Sequence, residues 1–200
     1  LRTPARAASD RQPAAIWLPY KWSRSPGNMA WDQTGGKFGP FESQFVLAEM
    51  TNGMVLRGDM WKVEGEYQGW VMPLRTHVGS AVRVLFASDG TLLCGLTNRG
   101  WGGYSPADGV ARVRWTGEMP MEVVSVRASP DRLHVDFTKM PQLAPETTVS
   151  VVQYDYDYWW EYGSPERHLT ELPVLSMGVD RAPGQIGGTL EVVVEGMSAG

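Results

Sequence analysis

From Ile16 to about Gly117 the chain alternates short apolar runs with clusters of Gly, Asn, Asp and Pro. Asn28–Asp32, Gln44–Ala48, Gly53–Arg57, Gly69–Leu74, Val82–Ala87, Thr91–Leu96 and Val110–Trp115 are the clearest of these runs. Each is short and bounded by turn formers, which predicts successive antiparallel strands. Nowhere do apolar positions hold an i, i+3, i+4, i+7 spacing long enough for a core helix. Residues 1–15, rich in Arg, Ala and Pro without an apolar period, are expected to form an arm or linker.

The same region repeats itself. Phe45–Gly53 aligns with Thr91–Arg99, placing Thr51-Asn52 and Thr97-Asn98 46 residues apart. Ahead of each copy an apolar run ends in a turn, Ala30–Gly35 and Phe86–Gly90. A period of this size with four short strands per unit predicts blades of a β-propeller. Two blades cannot close a ring that needs about four to eight. With Leu1 opening the chain, the expectation is a processed chain or a piece of a larger protein, whose missing N-terminal blades or assembly with partners would complete the propeller. An exposed blade edge would also be a ready template for pairing with another chain.

A second pattern begins near residues 116–120. Glu122–Arg127, Leu133–Phe137, Thr148–Tyr154 and Thr189–Val194 alternate apolar and polar residues, separated by turn groups such as Ser129-Pro130-Asp131 and Pro183-Gly184. About 80 residues with six or seven short strands predict a small Ig-like or fibronectin-like sandwich. The expected fold is therefore all-β: an arm at 1–15, about two propeller blades at 16–117 and a sandwich at 118–200.

Composition narrows the chemistry. The 37 Gly and Pro residues among 200 suit a turn-rich β chain, and the 42% apolar content is enough for a core. A net charge of −4 argues against nucleic acid or an anionic membrane as partner. No stretch approaches the roughly 20 apolar residues of a helical membrane span, and no signal peptide is legible. Cys94 is the sole cysteine, so neither an intrachain disulfide nor a cysteine-built metal cluster is possible. It lies mid-strand between apolar neighbours and is expected to be a buried, inert thiol. No metal-ligand spacing such as HExxH or CxxCH occurs.

Three blade strings, Gly35-Gly36-Lys37-Phe38-Gly39-Pro40-Phe41, Val63-Glu64-Gly65-Glu66-Tyr67-Gln68-Gly69 and Thr97-Asn98-Arg99-Gly100-Trp101-Gly102, resemble a bacterial family. It comprises large dehydrogenase-like proteins of planctomycetes and related bacteria, whose propeller belongs to the glucose/sorbosone dehydrogenase-like group. The likeness extends through Val126-Arg127-Ala128, Val135–Lys139 and Tyr162–Glu166, which in that family lie in an Ig-like segment after the last blades. The resemblance implies a soluble quinoprotein propeller that uses pyrroloquinoline quinone with calcium. It further implies a sugar or alcohol substrate, a cytochrome c domain as electron partner, and a periplasmic or secreted location. It places Asn98 and Arg99 on the cofactor, with Trp101 as a wall. The family loop reads Thr-Asn-Arg-Asp-Gly-Arg; here its Asp and second Arg are absent, and the catalytic histidine belongs to an earlier blade. This chain by itself is therefore not expected to catalyse.

The residues can also be read without the family. A guanidinium grips a carboxylate through two parallel hydrogen bonds, so Arg99 suits an acidic ligand; alternatively Asn98 caps a turn and Arg99 is solvated. In a propeller the loop holding them shares a face with Arg75–Gly79, where His77 offers a proton acceptor near neutral pH or is simply a loop residue. His134 alternates within a strand, and His168 is expected in a polar loop. The glycine-rich string 35–40 does not have phosphate-loop spacing and is a turn between strands.

Tyr154–Tyr162 is an aromatic strip with interleaved carboxylates. Asp155, Asp157 and Glu166 fit positions 1, 3 and 12 of a calcium loop, but Trp159 and Trp160 stand where a ligand and a glycine are required. Tyr156, Tyr158 and Trp159 either pack the sandwich against the propeller or stack on a sugar or protein partner. The tryptophans of the first region are expected between blades. Two functions remain in play: part of a quinoprotein-type dehydrogenase, or a non-catalytic extracellular module binding glycan or protein.

Overall fold

A computed structural model describes residues 14–99, 104, 106, 108–156 and 165–198. Among these the chain is all-β with no helix. It divides into two compact units, one from Ala14 to Met119 and one from Pro120 onward.

In the first unit, β1 (Pro26–Trp31), β2 (Phe45–Glu49), β3 (Met54–Val63) and β4 (Glu66–Arg75) form an antiparallel sheet in chain order. A second sheet, also in chain order, holds β5 (Ala81–Phe86), β6 (Leu92–Leu96) and β7 (Gly109–Val113). The repeat thus folds as one four-stranded and one three-stranded meander among the described residues, where four strands per unit were expected. β3 and β4 also run longer than their apolar runs, through the polar hairpin turn at Glu64-Gly65.

β2 is buried along its whole length. Alternation sends Val46 and Ala48 to one face, where they meet Val55, Val84, Leu92 and Cys94 between the sheets. Phe45 and Leu47 point the other way, onto Leu56 and the leading segment carrying Ile16, Leu18 and Trp22. The glycine-rich connection between β1 and β2 is more than a turn. Phe38 and Phe41 drop into the inter-sheet core, with Phe38 edge-on to Phe86 at 5.0 Å between centroids.

Two polar devices hold this unit together. Asn28 joins β1 to β5: its amide donates to Val84 O at 3.0 Å and accepts from Val84 N at 2.7 Å. Gly27 permits that approach, since a Cβ there would lie 2.4 Å from Val82 O. Glu49, fully buried, accepts backbone N–H groups from Arg24 (2.9 Å), Ser25 (2.7 Å) and Asn52, tying the leading segment to the β2–β3 turn. Arg57 is equally buried: it donates to Gln44 Oε1 at 3.0 Å and lies over the rings of Phe41 and Trp70.

The second unit pairs β8 (Val123–Ser129), β9 (Arg132–Phe137), β13 (Thr189–Val194) and β12 (Val174–Asp180) in one antiparallel sheet. A hairpin of β10 (Val151–Tyr156) and β11 (Glu166–Leu172) makes the other. Leu133, Val135, Phe137, Leu190, Val192 and Val194 face Leu172, Val149 and Val151 in its core. β11 is mostly exposed and polar, so no alternation of apolar residues announced it. β12 sends Val174, Met177 and Val179 toward the core, but a bulge between Val174 and Ser176 breaks its alternation. His168 corrects the sequence reading: it lies in β11, not in a loop. A bulge opposite 153–155 gives it a left-handed φ of 49°, and it contacts Asp155 Oδ2 at 3.0 Å.

Removing the Glu49 carboxylate strands buried N–H donors. Glu49→Ala is expected to cost roughly 2–5 kcal/mol, and Asn28→Ala about 1–3 kcal/mol, in urea unfolding. An unchanged midpoint in both would refute these assignments. Burial pushes the Cys94 thiol from 9.0 up to about 11. As pH rises past 9 the unfolded chain ionises first, so this contribution to stability is full below pH 9 and gone by about pH 11. Accordingly, a disulfide reagent should modify Cys94 at pH 8 only after denaturation, and rapid labelling of the native chain would contradict its burial.

Candidate functional site

In a meander, successive connections lie at alternate ends of the sheet. The β2–β3, β4–β5 and β6–β7 connections of the first unit therefore share one end, and backbone groups bind them to each other. Val78 N donates to Gly53 O at 2.9 Å, and Thr97 N to Ser80 O at 3.0 Å. Tyr104 N donates to the Ser80 hydroxyl at 3.3 Å. Gly53 has a left-handed φ of 63°, and the Tyr104 ring covers it so closely that a Cβ would sit 2.6 Å from Cγ. The Thr51 hydroxyl donates to Ser25 Oγ at 2.8 Å, extending the Glu49 anchorage beneath this end.

His77, Asn98 and Arg99 are exposed on these fastened loops. His77 has a φ of 58°, with Nδ1 3.1 Å from the Thr76 hydroxyl. Arg99 N donates to Thr97 Oγ1 at 3.2 Å, a hydroxyl-closed turn that leaves the guanidinium outside. The structure thus brings both predicted loops to one end, while no hydrogen bond or ion pair joins His77 to Asn98 or Arg99 among the described residues. Among the described residues no carboxylate bonds the imidazole, whose partner is the Thr76 hydroxyl. What this end offers is exposed donors on an anchored frame, suited to an acidic ligand. Arg99 and Asn98 could hold a quinone carboxylate. Among the described residues, no three His, Cys, Asp or Glu side chains gather to take a metal such as calcium. Trp101, the expected wall, lies outside the described residues.

Of the aromatic strip, Tyr154 and Tyr156 are half-buried and Asp155 is exposed, as alternation requires. Burial, with a smaller contribution from Glu166, raises the Tyr154 phenol above its ordinary range. Tyr158, Trp159 and Trp160 lie outside the described residues.

A polar cleft of about 340 Å³ on the second unit went unread in the sequence; Arg127, His134, Glu191 and Gly178 line it in one row across four strands. Arg127 pairs with Asp136 at 2.7 Å, while Glu191 receives Arg132 at 3.2 Å and faces His134 at 3.8 Å. The Arg132 hydrogen bond foremost holds the Asp131 carboxyl below its ordinary range. The charged alternation Arg132-His134-Asp136 was the available signal; strand order, which it does not contain, assembles the row.

The chain matches no family model, no curated protein and no solved structure.

The left-handed backbone at His77 supplies a check on the loop geometry. His77→Gly should leave stability unchanged or raise it, whereas His77→Val should lower it by about 1–2 kcal/mol in thermal or urea unfolding. Equal stability of the two variants would contradict the described turn.

Proposed function

We propose that the chain is a non-catalytic binding module in which two propeller-type blades are followed by an Ig-like sandwich. Its ligand end is the one carrying His77, Asn98 and Arg99. The blade reading is supported by the 46-residue repeat, by two successive meanders in chain order and by the Asn28 clamp between their first strands. The sandwich reading is supported by two antiparallel sheets around one apolar core. One observation carries the functional reading: three connections are fastened through Ser80 and Gly53, and two of them present His77, Asn98 and Arg99 exposed at a single end. Preorganised donors bind an acidic group with little ordering cost.

A second reading has its own support, because Thr97-Asn98-Arg99 occupies the position that the dehydrogenase resemblance requires. On that reading the acidic ligand is pyrroloquinoline quinone with calcium, in a protein that also contains further blades and a cytochrome c domain. It would oxidise a sugar or alcohol in the periplasm or outside the cell. When bound, the quinone would supply the redox chemistry. Asn98 and Arg99 would only hold and orient its carboxylates, and His77 could accept a hydrogen bond at the rim.

The test is titration with pyrroloquinoline quinone, with and without calcium, followed by calorimetry and tryptophan quenching. Binding that weakens at least tenfold in Arg99→Ala, with unchanged unfolding, is expected. Calcium-dependent binding would favour the quinoprotein reading, and calcium-independent binding the general acidic site. No binding, or equal binding by the variant, would overturn this assignment of the ligand end.

A further inference from the structure

The opposite end of the first unit, formed by the β1–β2 and β5–β6 connections and the residues following β7, carries a different chemistry. Two shallow clefts meet there at Lys37. One, of about 390 Å³, is lined by Trp31, Gln33, Thr34, Leu85 and Ser88. The other, of about 330 Å³, is lined by Asp89, Thr91, Arg114 and Trp115.

The indoles at these clefts are exposed, against the expectation that tryptophans here pack between blades. Trp31 is 40% and Trp115 37% exposed, yet both are held in place. Trp31 packs at 5.7 Å, edge to face, with Phe45. Trp115 lies over Gly39, where a Cβ would meet its ring at 3.2 Å, and its Nε1 donates to Glu118 O at 3.0 Å. Large apolar rings held at the surface in fixed orientations form platforms rather than core.

The polar groups between them are likewise preset. Lys37 Nζ donates to Ser88 O at 2.8 Å and has two further protons to give. Arg114 Nε donates to Thr91 Oγ1 at 3.1 Å, which fixes the guanidinium and leaves its Nη groups for a ligand. Asp89 accepts Thr91 N at 2.9 Å, and this bond foremost lowers its carboxyl below the ordinary range, so it stays an acceptor.

We propose that this pair of clefts binds an acidic oligosaccharide, with sugar rings on Trp31 and Trp115 and a ring carboxylate on Arg114 and Lys37. The C–H faces of a pyranose match the flat apolar indoles, and its hydroxyls need both donors and acceptors. Gln33, Thr34 and Asp89 supply both kinds. Two cations against one carboxylate favour a carboxylate on the sugar, which an arginine fork can grip through paired hydrogen bonds. The fixed Asp89 charge disfavours the denser charge of a phosphate ester.

The experiment is calorimetric or NMR titration of the chain with oligogalacturonate and with its fully methyl-esterified form, which keeps the rings and removes the charge. Oligogalacturonate should bind at least tenfold more tightly than the ester. Arg114→Gln should abolish that preference, and Trp115→Ala should weaken binding of both forms at least tenfold. Because Trp115 rests on Gly39, unfolding of each variant is measured alongside, and Lys37→Met provides a second variant away from that contact. The titrations are repeated in Arg99→Ala, which removes the acidic site proposed above, so that the binding and its dependence on Arg114 that persist there belong to this end. No binding of either saccharide, equal binding of the two, or full binding by both Arg114→Gln and Lys37→Met would overturn the proposal.

Discussion

Strand β2 is apolar toward both of its faces, and the first unit is arranged to cover it twice. Val46 and Ala48 demand the second sheet, while Phe45 and Leu47 demand the leading segment with Ile16, Leu18 and Trp22. Burying each large side chain is worth roughly 1.5–3 kcal/mol, so a β2 open on either side would leave the sheet marginal. Burial on both sides also encloses Glu49, whose carboxylate must find donors where water is excluded. It finds them in the backbone of Arg24, Ser25 and Asn52. The polar anchorage at that end is therefore a consequence of the apolar one.

That anchorage separates scaffold from surface. At the end bearing His77 and Arg99, the backbone of Val78, Thr97 and Tyr104 is bonded to neighbouring loops, and the side chains of His77, Asn98 and Arg99 are left outside. At the opposite end the backbone also closes its turns, as in Ala87 N to Thr91 O, but charged side chains are tethered as well: Lys37 and Arg114 donate and Asp89 accepts, and these bonds orient the groups without covering them. The two ends thus have different characters: donors on anchored loops at one, aromatic platforms with preset charges at the other. Both follow from the alternation of connections in a meander, which gathers every second loop on the same side.

The second unit solves its packing with less apolar material. Its inner row from β9 and β13 is apolar, but the outward row is charged and internally paired: Arg127 with Asp136, and Arg132 with Glu191. Thr189 Oγ1 and Gln185 Nε2 also donate to Asp136 Oδ1, so little of that carboxylate remains for a ligand. Exposed pairs of this kind stabilise little individually. Their effect is to keep a sheet face polar and neutral enough not to recruit another sheet.

Runs of β-branched and aromatic residues between Gly, Asn, Asp and Pro were sufficient for the all-β class and for the strands through β10 and at β13. Local alternation and turn chemistry are properties of neighbouring residues, so they are legible in one dimension. The polar strand β11 was not, because its pairing with β10 rather than its own residues makes it a strand, and a bulge between Val174 and Ser176 breaks the apolar alternation of β12. Nor could the chain order reveal that Trp31 and Trp115 stay at the surface, that Phe38 and Phe41 leave a glycine-rich turn for the core, or that His168 sits in a bulge. Each depends on which segment arrives from a distant part of the sequence: Gly39 beneath Trp115, Phe86 against Phe38, Asp155 beside His168. By itself the sequence determined where the backbone extends and where it turns. Tertiary structure alone decided which side chains meet, since burial and hydrogen bonding are settled between residues far apart along the chain.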